Sequence, residues 1–297
     1  MSLTLKRIFM AVFGLLGAVA LWPCLLTLQY YQGSFPSYLL FSLAQGVALG
    51  LVFGAFFGSF EGVVVSSRPK AFKGFLFGAA FGAGAGAIGV MAGQLFLFAA
   101  GSALWKTASA RNGVGLAVAS GVAWTIVGVF LALTEGFRAR SARKLLVGLA
   151  GGILGGLAGG AALSAISFPY PAQPLSLLAG LALFGLSISV FYSLFENRFS
   201  SGALMLLNGP LKGKEYYLLS RAMKIGTGPD CDIVLKGYPD VDKLHATIRV
   251  TRGKVTLEQE KASARIFIND EPPGGRALKP EDVLAVGKAK FLYGYFG

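Results

Sequence analysis

The first two thirds of the chain contain very few charged residues. Residues 1–200 hold 12 Lys or Arg and only 3 Asp or Glu, whereas residues 201–297 hold 15 and 11. Soluble globular domains average about 25% charged residues, so the first part is too poor in charge to be one. The mean hydropathy of the whole chain is +0.63. The composition therefore predicts a membrane domain over residues 1–199, followed by a soluble domain over residues 200–297.

Histidine and cysteine are also scarce, with one and two residues. The single histidine, His245, lies in the soluble part, so the membrane part has no Ser–His dyad and no histidine metal site. No GxxxxGK[ST] phosphate loop occurs. We therefore expect no enzyme activity, no metal and no cofactor. Cys24 and Cys231 are expected on opposite sides of the membrane, which predicts no disulfide.

Four stretches without Asp, Glu, Lys or Arg indicate where the chain crosses the membrane: 8–60, 74–105, 112–134 and 145–195. A spanning helix requires about 20 apolar residues, so the two middle stretches hold one helix each and the outer ones two each. Proline-containing turns divide both outer stretches. The sequence therefore predicts an all-α bundle of six transmembrane helices, near residues 8–28, 38–60, 74–100, 113–134, 145–166 and 175–195.

The positive charges of the loops predict the orientation. Basic residues precede helix 1 and follow helices 2 and 4, whereas the first and last hairpin loops carry no charge. The positive-inside rule places the N-terminus, the basic loops and the C-terminal domain in the cytoplasm, and we expect a bacterial inner (plasma) membrane. The basic loops are expected to attract anionic lipids. Because most of the excess charge is next to the membrane, it does not indicate binding of nucleic acid.

An internal repeat links two parts of the membrane domain. When Glu61 is aligned with Glu135, four glycines in each copy coincide at a spacing of four residues. They are Gly74, Gly78, Gly82 and Gly86 in the first copy, and Gly148, Gly152, Gly156 and Gly160 in the second. Small residues at this spacing lie on one helix face and let two backbones approach closely. We therefore expect tight helix packing at these glycines, with a conduit along them as the alternative.

Three carboxylates, Glu61, Glu135 and Glu196, are expected at the cytoplasmic ends of helices 2, 4 and 6. The residues before Glu196 follow the offsets of the repeat, so helix 6 resembles the first half of a third copy. A carboxylate at a helix C-terminus opposes the helix dipole, so each is expected to have a cationic partner in the following basic loop. An ion or proton site is the alternative interpretation.

From Ala203 onward, short alternating stretches are separated by turn residues. Eight strands are expected, over residues 203–207, 214–219, 232–235, 245–250, 254–258, 265–268, 283–286 and 290–296. Regularly spaced short strands with Gly, Pro and Asn-Asp turns between them are typical of an all-β sandwich.

Several separate motifs occur in this soluble part. Residues 209–216 read GPLKGKEY, residues 225–235 read IGTGPDCDIVL, and residues 241–246 read VDKLHA. They are followed by IND at 268–270 and by Leu278, Asp282 and Gly287. This order and spacing resembles the forkhead-associated (FHA) domain, a β-sandwich that binds phosphothreonine peptides with the loops at one end. The resemblance covers about residues 203–297, and it implies partner-binding loops that contain Lys224, Gly226, Thr227, Asp242, Lys243 and Asn269.

The sequence departs from the family where the family contacts phosphate. FHA domains have an arginine after the Ile-Gly pair and a serine three residues before the histidine, but this chain has Thr227 and Asp242. A phosphate of charge about −2 favours a bidentate guanidinium, so phosphothreonine binding is expected to be lost. Lys243 is expected to pair with Asp242. The resemblance also implies that Asn269 bonds the backbone of a bound peptide and that His245 is structural.

Together these features favour a non-catalytic membrane adaptor or scaffold. Its cytoplasmic FHA-like domain would bind a protein partner without phosphate, and its helices would bind other membrane subunits. Degenerate FHA-like domains are structural connectors in membrane-embedded bacterial assemblies such as secretion bases, an analogy of family. Two alternatives stay open. Duplicated hairpins also fit a channel or transporter regulated by this domain, and a phosphothreonine-dependent receptor would use Lys224, Thr227 and Lys243 as a substitute pocket.

Overall fold

Six α-helices occupy the first two thirds of the chain in the computed structural model, which describes residues 3–64, 67–107, 114–138, 141–167, 174–251, 253–260 and 264–294. Their bounds are α1 Leu3–Tyr30, α2 Tyr38–Val64, α3 Arg68–Thr107, α4 Val114–Arg138, α5 Ala142–Ser167 and α6 Pro174–Arg198. A single 3-10 turn, Gln32–Ser34, follows α1.

The observed helices extend beyond the charge-free stretches of the sequence. The helix predicted near 74–100 runs from Arg68 to Thr107, because a charged side chain ends an apolar stretch without interrupting helical hydrogen bonds. Over the described residues, five of the six predicted spanning helices are long and apolar enough to cross a membrane, and in α4 the apolar stretch Gly121–Leu133 is shorter. The predicted class, a helical membrane bundle followed by a β-sandwich, is confirmed.

The helices form a closed ring. Each packs against its neighbours in the chain, and α1 packs against α6. In addition α2 contacts α4, and α4 contacts α6. The even-numbered helices therefore face one another around a common axis, and the odd-numbered helices lie outside them.

The repeat is visible in the geometry of two turns. The Ser67 N–H donates to the Gly62 carbonyl at 2.9 Å, and the Ser141 N–H donates to the Gly136 carbonyl at 3.2 Å. Both serines are buried. These bonds are offset by the same 74 residues that separate Glu61 from Glu135. The two helix pairs α2–α3 and α4–α5 thus turn in the same way.

Nine β-strands form two facing sheets within the described part of the C-terminal domain. They are β1 Ala203–Leu206, β2 Glu215–Tyr217, β3 Ala222–Gly226, β4 Ile233–Val234, β5 Ala246–Thr251, β6 Lys254–Gln259, β7 Ile266–Ile268, β8 Val283–Val286 and β9 Ala289–Gly294. One sheet has the order β2-β1-β9-β8-β7 and the other β4-β3-β5-β6. Only the short β3–β4 pair is parallel among these strands. The core between the sheets includes the fully buried Leu204, Ile225, Ile248 and Phe291.

Strand β3 was absent from the sequence prediction. Met223 and Ile225 are buried whereas Ala222 and Lys224 are exposed, the alternation of a half-buried strand. Gly226, Gly228 and Pro229 follow at once and are typical of a turn, so they concealed the strand that precedes them.

The sandwich docks directly on the bundle. Helix α6 ends at Arg198 and β1 begins at Ala203, which leaves four residues between them. Met10, Phe60, Val147 and Tyr192 of the helices and Ala203, Tyr217 and Leu219 of the sandwich form one buried apolar cluster. The Ser141 hydroxyl donates to the Leu219 carbonyl at 2.8 Å. The sandwich therefore lies on the same side of the bundle as the N-terminus of α1 and the basic loops.

Candidate functional site

The residues implied by the FHA resemblance lie in the second half of strand β3 and in loops that connect strands. Lys224 and Gly226 end β3, and Thr227 follows them. Asp242 and Lys243 lie in the connection from β4 to β5, and Asn269 follows β7 directly. All but Asn269 therefore lie in, or directly before, two loops that contact each other.

Backbone hydrogen bonds hold these two loops together. The Thr227 N–H donates to the Asp242 carbonyl and the Gly228 N–H to the Lys243 carbonyl, both at 2.9 Å. A Cβ at Gly226 would overlap the Lys243 carbonyl oxygen, so this position requires glycine for close approach. The loop geometry is therefore set by backbone atoms and does not depend on the side chains at 227 and 242.

The buried His245 side chain holds the loop that carries Asp242 in place. It is 2% exposed, and its Nδ1 accepts a hydrogen bond from the Asp242 N–H at 3.1 Å. Its Nε2 lies 3.1 Å from the Arg265 carbonyl oxygen, so this nitrogen carries the proton and donates. With both ring nitrogens bonded internally, His245 supports the loop structurally.

Asn269 is held within its own turn. Its backbone has a φ of +52°, its Oδ1 accepts from the Val283 N–H at 2.8 Å, and its Nδ2 donates to Asp282 at 2.7 Å. These bonds use the carbonyl oxygen and one N–H of the amide. One N–H remains for a bound peptide, so the sequence-implied contact with a peptide backbone stays a prediction.

Asp282 is the centre of a hydrogen-bond network behind that turn. Its carboxylate accepts from the Lys279 N–H at 2.8 Å, from Arg276 at 3.0 Å and from Asn269. Burial acts to raise the pKa of this carboxyl, but the hydrogen bonds from Lys279, Arg276 and Asn269 outweigh it and lower the pKa below its usual value. A buried, bonded carboxylate of this kind stabilises the loop end of the sandwich.

Among the described residues, the side chains at the positions where FHA domains contact phosphate have no partner. Thr227 and Asp242 are half-buried and Lys243 is exposed. Within the described residues, Asp242 and Lys243 do not form the ion pair expected from their adjacency. An exposed lysine gains little from such a pair because water screens both charges. The Asp242 carboxylate therefore has no cationic partner in the part of the chain that the structure describes.

Two aspartates that the sequence analysis overlooked connect this end of the sandwich to the bundle. Lys70 lies 3.4 Å from Asp232 and Lys73 lies 3.6 Å from Asp230. The other Asp232 oxygen accepts from the Lys224 N–H at 2.9 Å. The loop that carries Thr227 is therefore tied to the start of α3. Only proximity in three dimensions reveals this link, because the partners are more than 150 residues apart.

Two of the interfacial carboxylates, Glu61 and Glu196, pair with lysines that the sequence did not predict as their partners. Glu61 lies 2.8 Å from Lys144 at the start of α5, and Glu196 lies 2.6 Å from Lys6 at the start of α1. Neither partner comes from the loop that follows the glutamate, because ring closure brings other helix ends closer. The side chain of Glu135 lies outside the described residues.

Tyr217 joins this charged junction. The Lys6 ammonium lies 5.2 Å from the centre of the Tyr217 ring. Burial, and to a lesser extent the Glu196 carboxylate, raise the pKa of the Tyr217 hydroxyl. The phenol is therefore neutral at physiological pH and is available as a hydrogen-bond donor.

The repeated glycines lie at helix contacts inside one chain. Gly74, Gly78, Gly82 and Gly86 of α3 face Gly58, Gly54, Gly50 and Gly46 of α2, each against a carbonyl oxygen of the other helix. Gly148, Gly152 and Gly156 of α5 pack against the backbone of α4, and Gly160 packs against Trp124. The glycines thus lie between the two helices of each pair.

Comparisons with known proteins bear on the C-terminal domain. Residues 205–294 match the family model Yop-YscD_cpl, described as the cytoplasmic domain of the inner membrane component of T3SS (the type III secretion system). No curated protein matches the chain.

Solved structures of FHA domains are similar to the same region. The FHA domain of a Chlamydia trachomatis protein is 23% identical, with 32% of this chain and 98% of that chain covered and a TM-score of 0.30. The cytoplasmic domain of the T3SS sorting platform protein PscD from P. aeruginosa is 18% identical, with 31% and 78% covered and a TM-score of 0.28.

The strand order, the loop positions and the family model all concern the last third of the chain. Residues 205–294 form an FHA-like β-sandwich that matches the cytoplasmic-domain family of the T3SS inner membrane component.

Proposed function

We propose that the protein is a non-catalytic membrane adaptor whose FHA-like domain binds a protein partner independently of phosphothreonine. The bundle anchors the domain in a bacterial inner membrane with the sandwich on the cytoplasmic side. The chain serves there as one component of a larger membrane complex. The family model, which describes a cytoplasmic domain of an inner membrane component, supports this placement.

The observation that carries the proposal is the charge of the loop site. Asp242 presents a carboxylate without a cationic partner among the described residues, and Thr227 offers one neutral hydroxyl in place of a guanidinium. The Asp242 carboxylate and a phosphate are both negatively charged and repel each other, so the loop site has no net electrostatic attraction for phosphate. The loops are nevertheless held in shape by His245, Gly226 and backbone bonds, which supports a site that still binds protein.

The close attachment of the sandwich supports a scaffold rather than a tethered receptor. Domains on flexible linkers move relative to each other, whereas here an apolar cluster and two ion pairs join the domain to the helices. A partner bound at the loops would consequently be held at a fixed place near the membrane surface. Lys70 and Lys73 lie at the same surface, where anionic lipid headgroups are attracted by about 1 kcal/mol per basic residue.

The test compares phosphorylated and dephosphorylated partners. The full chain, purified in mild detergent from native membranes, is recovered with and without phosphatase treatment, and retained proteins are identified by mass spectrometry. We expect the same partners at the same yield in both samples. Phosphothreonine and unmodified peptides should bind the purified chain equally weakly, and Lys243→Ala should affect both alike.

Either of two results would contradict the proposal. Release of the partner by phosphatase, or selective loss of phosphopeptide binding in Lys243→Ala, would show that Lys224, Thr227 and Lys243 form a substitute phosphate pocket. The proposal would then be wrong.

A further inference from the structure

A cavity of about 340 Å³ lies between the six helices, in the half of the bundle remote from the sandwich. Every helix lines it, through Leu25 of α1, Leu49 of α2, Val90 of α3, Trp124 of α4, Leu163 of α5 and Leu181 of α6. Sites for small molecules typically occupy about 300–1,000 Å³, so this outer cavity has the size of one.

The polar groups of the outer cavity are glutamine amides. Gln29, Gln45 and Gln94 come from three different helices, and none of the described residues that line the cavity is charged. Gln94 donates to the Ser42 hydroxyl at 2.5 Å, which links α2 and α3. Gln29 and Gln45 form no hydrogen bond with any part of the chain that the structure describes. Apolar walls with a few convergent amides suit an uncharged molecule with hydroxyl or carbonyl groups, because a charged one would lose its hydration without compensation.

A second cavity, of about 100 Å³, lies at the other end of the bundle. Phe57 of α2, Leu131 of α4 and Tyr192 of α6 line it from the helices, and strand β2 lines it from the sandwich. The ion pairs Glu61–Lys144 and Lys6–Glu196 also lie in its wall. The Glu215 Oε2, the Tyr216 hydroxyl and the Tyr217 hydroxyl are buried and have no hydrogen-bond partner in the described structure. All three residues line this inner cavity. Buried polar atoms are nearly always bonded, so these atoms are positioned to bond molecules that enter it.

One layer of side chains separates the two cavities. Phe53, Val127 and Ile188 occupy equivalent positions of the repeat on α2, α4 and α6, at offsets of 74 and 61 residues that also relate Glu61, Glu135 and Glu196. They are 0%, 3% and 1% exposed and belong to one apolar cluster. On each even-numbered helix, the barrier lies between a residue that lines the outer cavity and a residue that lines the inner cavity. In that order, the pairs are Leu49 and Gly54 on α2, Val127 and Leu131 on α4, and Leu181 and Ile188 on α6. At 1.5 Å rise per residue the barrier is about 6–10 Å thick.

We propose that the axis of the even-numbered helices is a pathway for a small, uncharged, hydrogen-bonding solute. The outer cavity binds the solute through its glutamine amides, and the layer of Phe53, Val127 and Ile188 closes the pathway. The inner cavity receives the solute beneath β2, so the sandwich covers the inner mouth. This activity goes beyond the scaffold function and does not depend on it.

Helix packing alone accounts for the glycines but not for the cavities. The repeated glycines lie between the two helices of each pair, and of these Gly78 also lines the inner cavity, beside Gly54 of α2. The pathway therefore follows the face of the even-numbered helices that carries Phe53, Val127 and Ile188, which is next to the glycine face.

Thiol accessibility tests the outer cavity. Single cysteines replace Val90, which lines the cavity, and Ile88, which is 56% exposed on the outside of the same helix. The background carries Cys24→Ser and Cys231→Ser. In proteoliposomes, a charged, membrane-impermeant methanethiosulfonate reagent reacts only with thiols that contact water. We expect modification of V90C and not of I88C, and an unreactive V90C would overturn the proposal.

Solute flux tests the pathway and its barrier. Glycerol entry into proteoliposomes is followed by stopped-flow light scattering for the wild type, Phe53→Ala and Ile188→Ala. Phe77→Ala, on the exposed face of α3, is the control. We expect wild-type entry above that of protein-free vesicles and an increase of about tenfold in Phe53→Ala, which corresponds to a barrier lowered by roughly 1.4 kcal/mol. Potassium flux should stay at the protein-free level throughout.

Two results would overturn the pathway. One is glycerol entry at the protein-free rate in the wild type and in both barrier variants, each verified as folded by its elution volume and helical circular dichroism. The other is an equal increase in Phe77→Ala, which would indicate leakage around the protein. The two barrier variants remove different side chains, so misfolding of one leaves the test intact.

Discussion

At the scale of single residues, loop shape and loop chemistry are carried by different side chains. Gly226 and His245 hold the recognition loops by close approach and buried hydrogen bonds. Within the part of the chain that the structure describes, the side chains of Thr227 and Asp242 form no hydrogen bond or ion pair, and we propose that they decide what the loops bind. An FHA-like sandwich would then keep its structure while its phosphate contacts change.

Asp282 makes the sandwich sensitive to acid. Its pKa is lowered in the folded state, so it stabilises the fold above the ordinary Asp pKa of about 3.9 and loses this contribution as the pH falls through the folded value. We expect Asp282→Asn to lower the free energy of unfolding at pH 7 by about 1–3 kcal/mol, because Arg276 and the Lys279 N–H lose their charged acceptor.

Urea unfolding of the full chain in nanodiscs, followed by tyrosine fluorescence, measures this effect at pH 7 and at pH 3. The difference between wild type and D282N should shrink at pH 3. Asp270→Asn is the matched control, because Asp270 is exposed in the same turn. A difference independent of pH would contradict the role of the ionised carboxylate.

At the scale of elements, the helix pairs are specified by glycine. Gly50 of α2 and Gly82 of α3 each place their Cα against the carbonyl of the other, so no side chain fits between them. The sequence repeat identified these faces, but it could not show whether they pack within one chain or between two. The structure brings them together within the chain because the turn at Ser67 folds α3 back along α2.

Adding one methyl group at Gly50 should push helices α2 and α3 apart. We expect Gly50→Ala to destabilise the bundle by roughly 1–3 kcal/mol, since the added Cβ overlaps the Gly82 carbonyl oxygen. Gly84→Ala is the matched control: it lies on α3 with no atom within 4 Å of the added Cβ, and alanine is favoured over glycine in a helix by about 1 kcal/mol. Unfolding by sodium dodecyl sulfate, followed by circular dichroism, ranks the variants. A Gly50→Ala variant as stable as Gly84→Ala would show that this contact is loose.

At the scale of the whole molecule, the sandwich and the bundle form one unit. The apolar cluster around Tyr217, the Ser141 hydrogen bond and the Lys70–Asp232 pair all cross the junction. Because the loop that carries Thr227 is part of this junction, a partner bound there would contact the sandwich close to the helix ends.

Zero-length cross-linking measures this docking. A carbodiimide should join Lys73 to Asp230, whose charged atoms lie 3.6 Å apart and are well exposed, and mass spectrometry should detect the linked peptides. Lys73→Arg keeps the charge but forms no amide, so it should abolish the product. The pair Lys288–Asp240, within the sandwich at 3.9 Å, is the internal control. Formation of the control product alone would show that the sandwich does not dock as described.

The sequence by itself determined the helical bundle and the sandwich, and it predicted an altered phosphate site. Apolar runs, strand alternation and local motifs depend on neighbouring residues, and their physical consequences are local too. The helix ends were predicted less accurately than the helices themselves. Charged residues such as Arg68 end an apolar stretch of the sequence but still belong to the helix. The strand at Met223 and Ile225 was hidden by the glycines that follow it.

Only the tertiary structure decided which distant groups meet. Lys6 pairs with Glu196 and Lys70 with Asp232 because ring closure and docking bring them together, and no local pattern encodes those distances. The same holds for the cavities on the helix axis and for the Tyr217 hydroxyl, which has no hydrogen-bond partner among the described residues, because both features arise between elements. The free energy of such contacts depends on burial and geometry across the whole molecule, so it cannot be inferred from the order of residues along the chain.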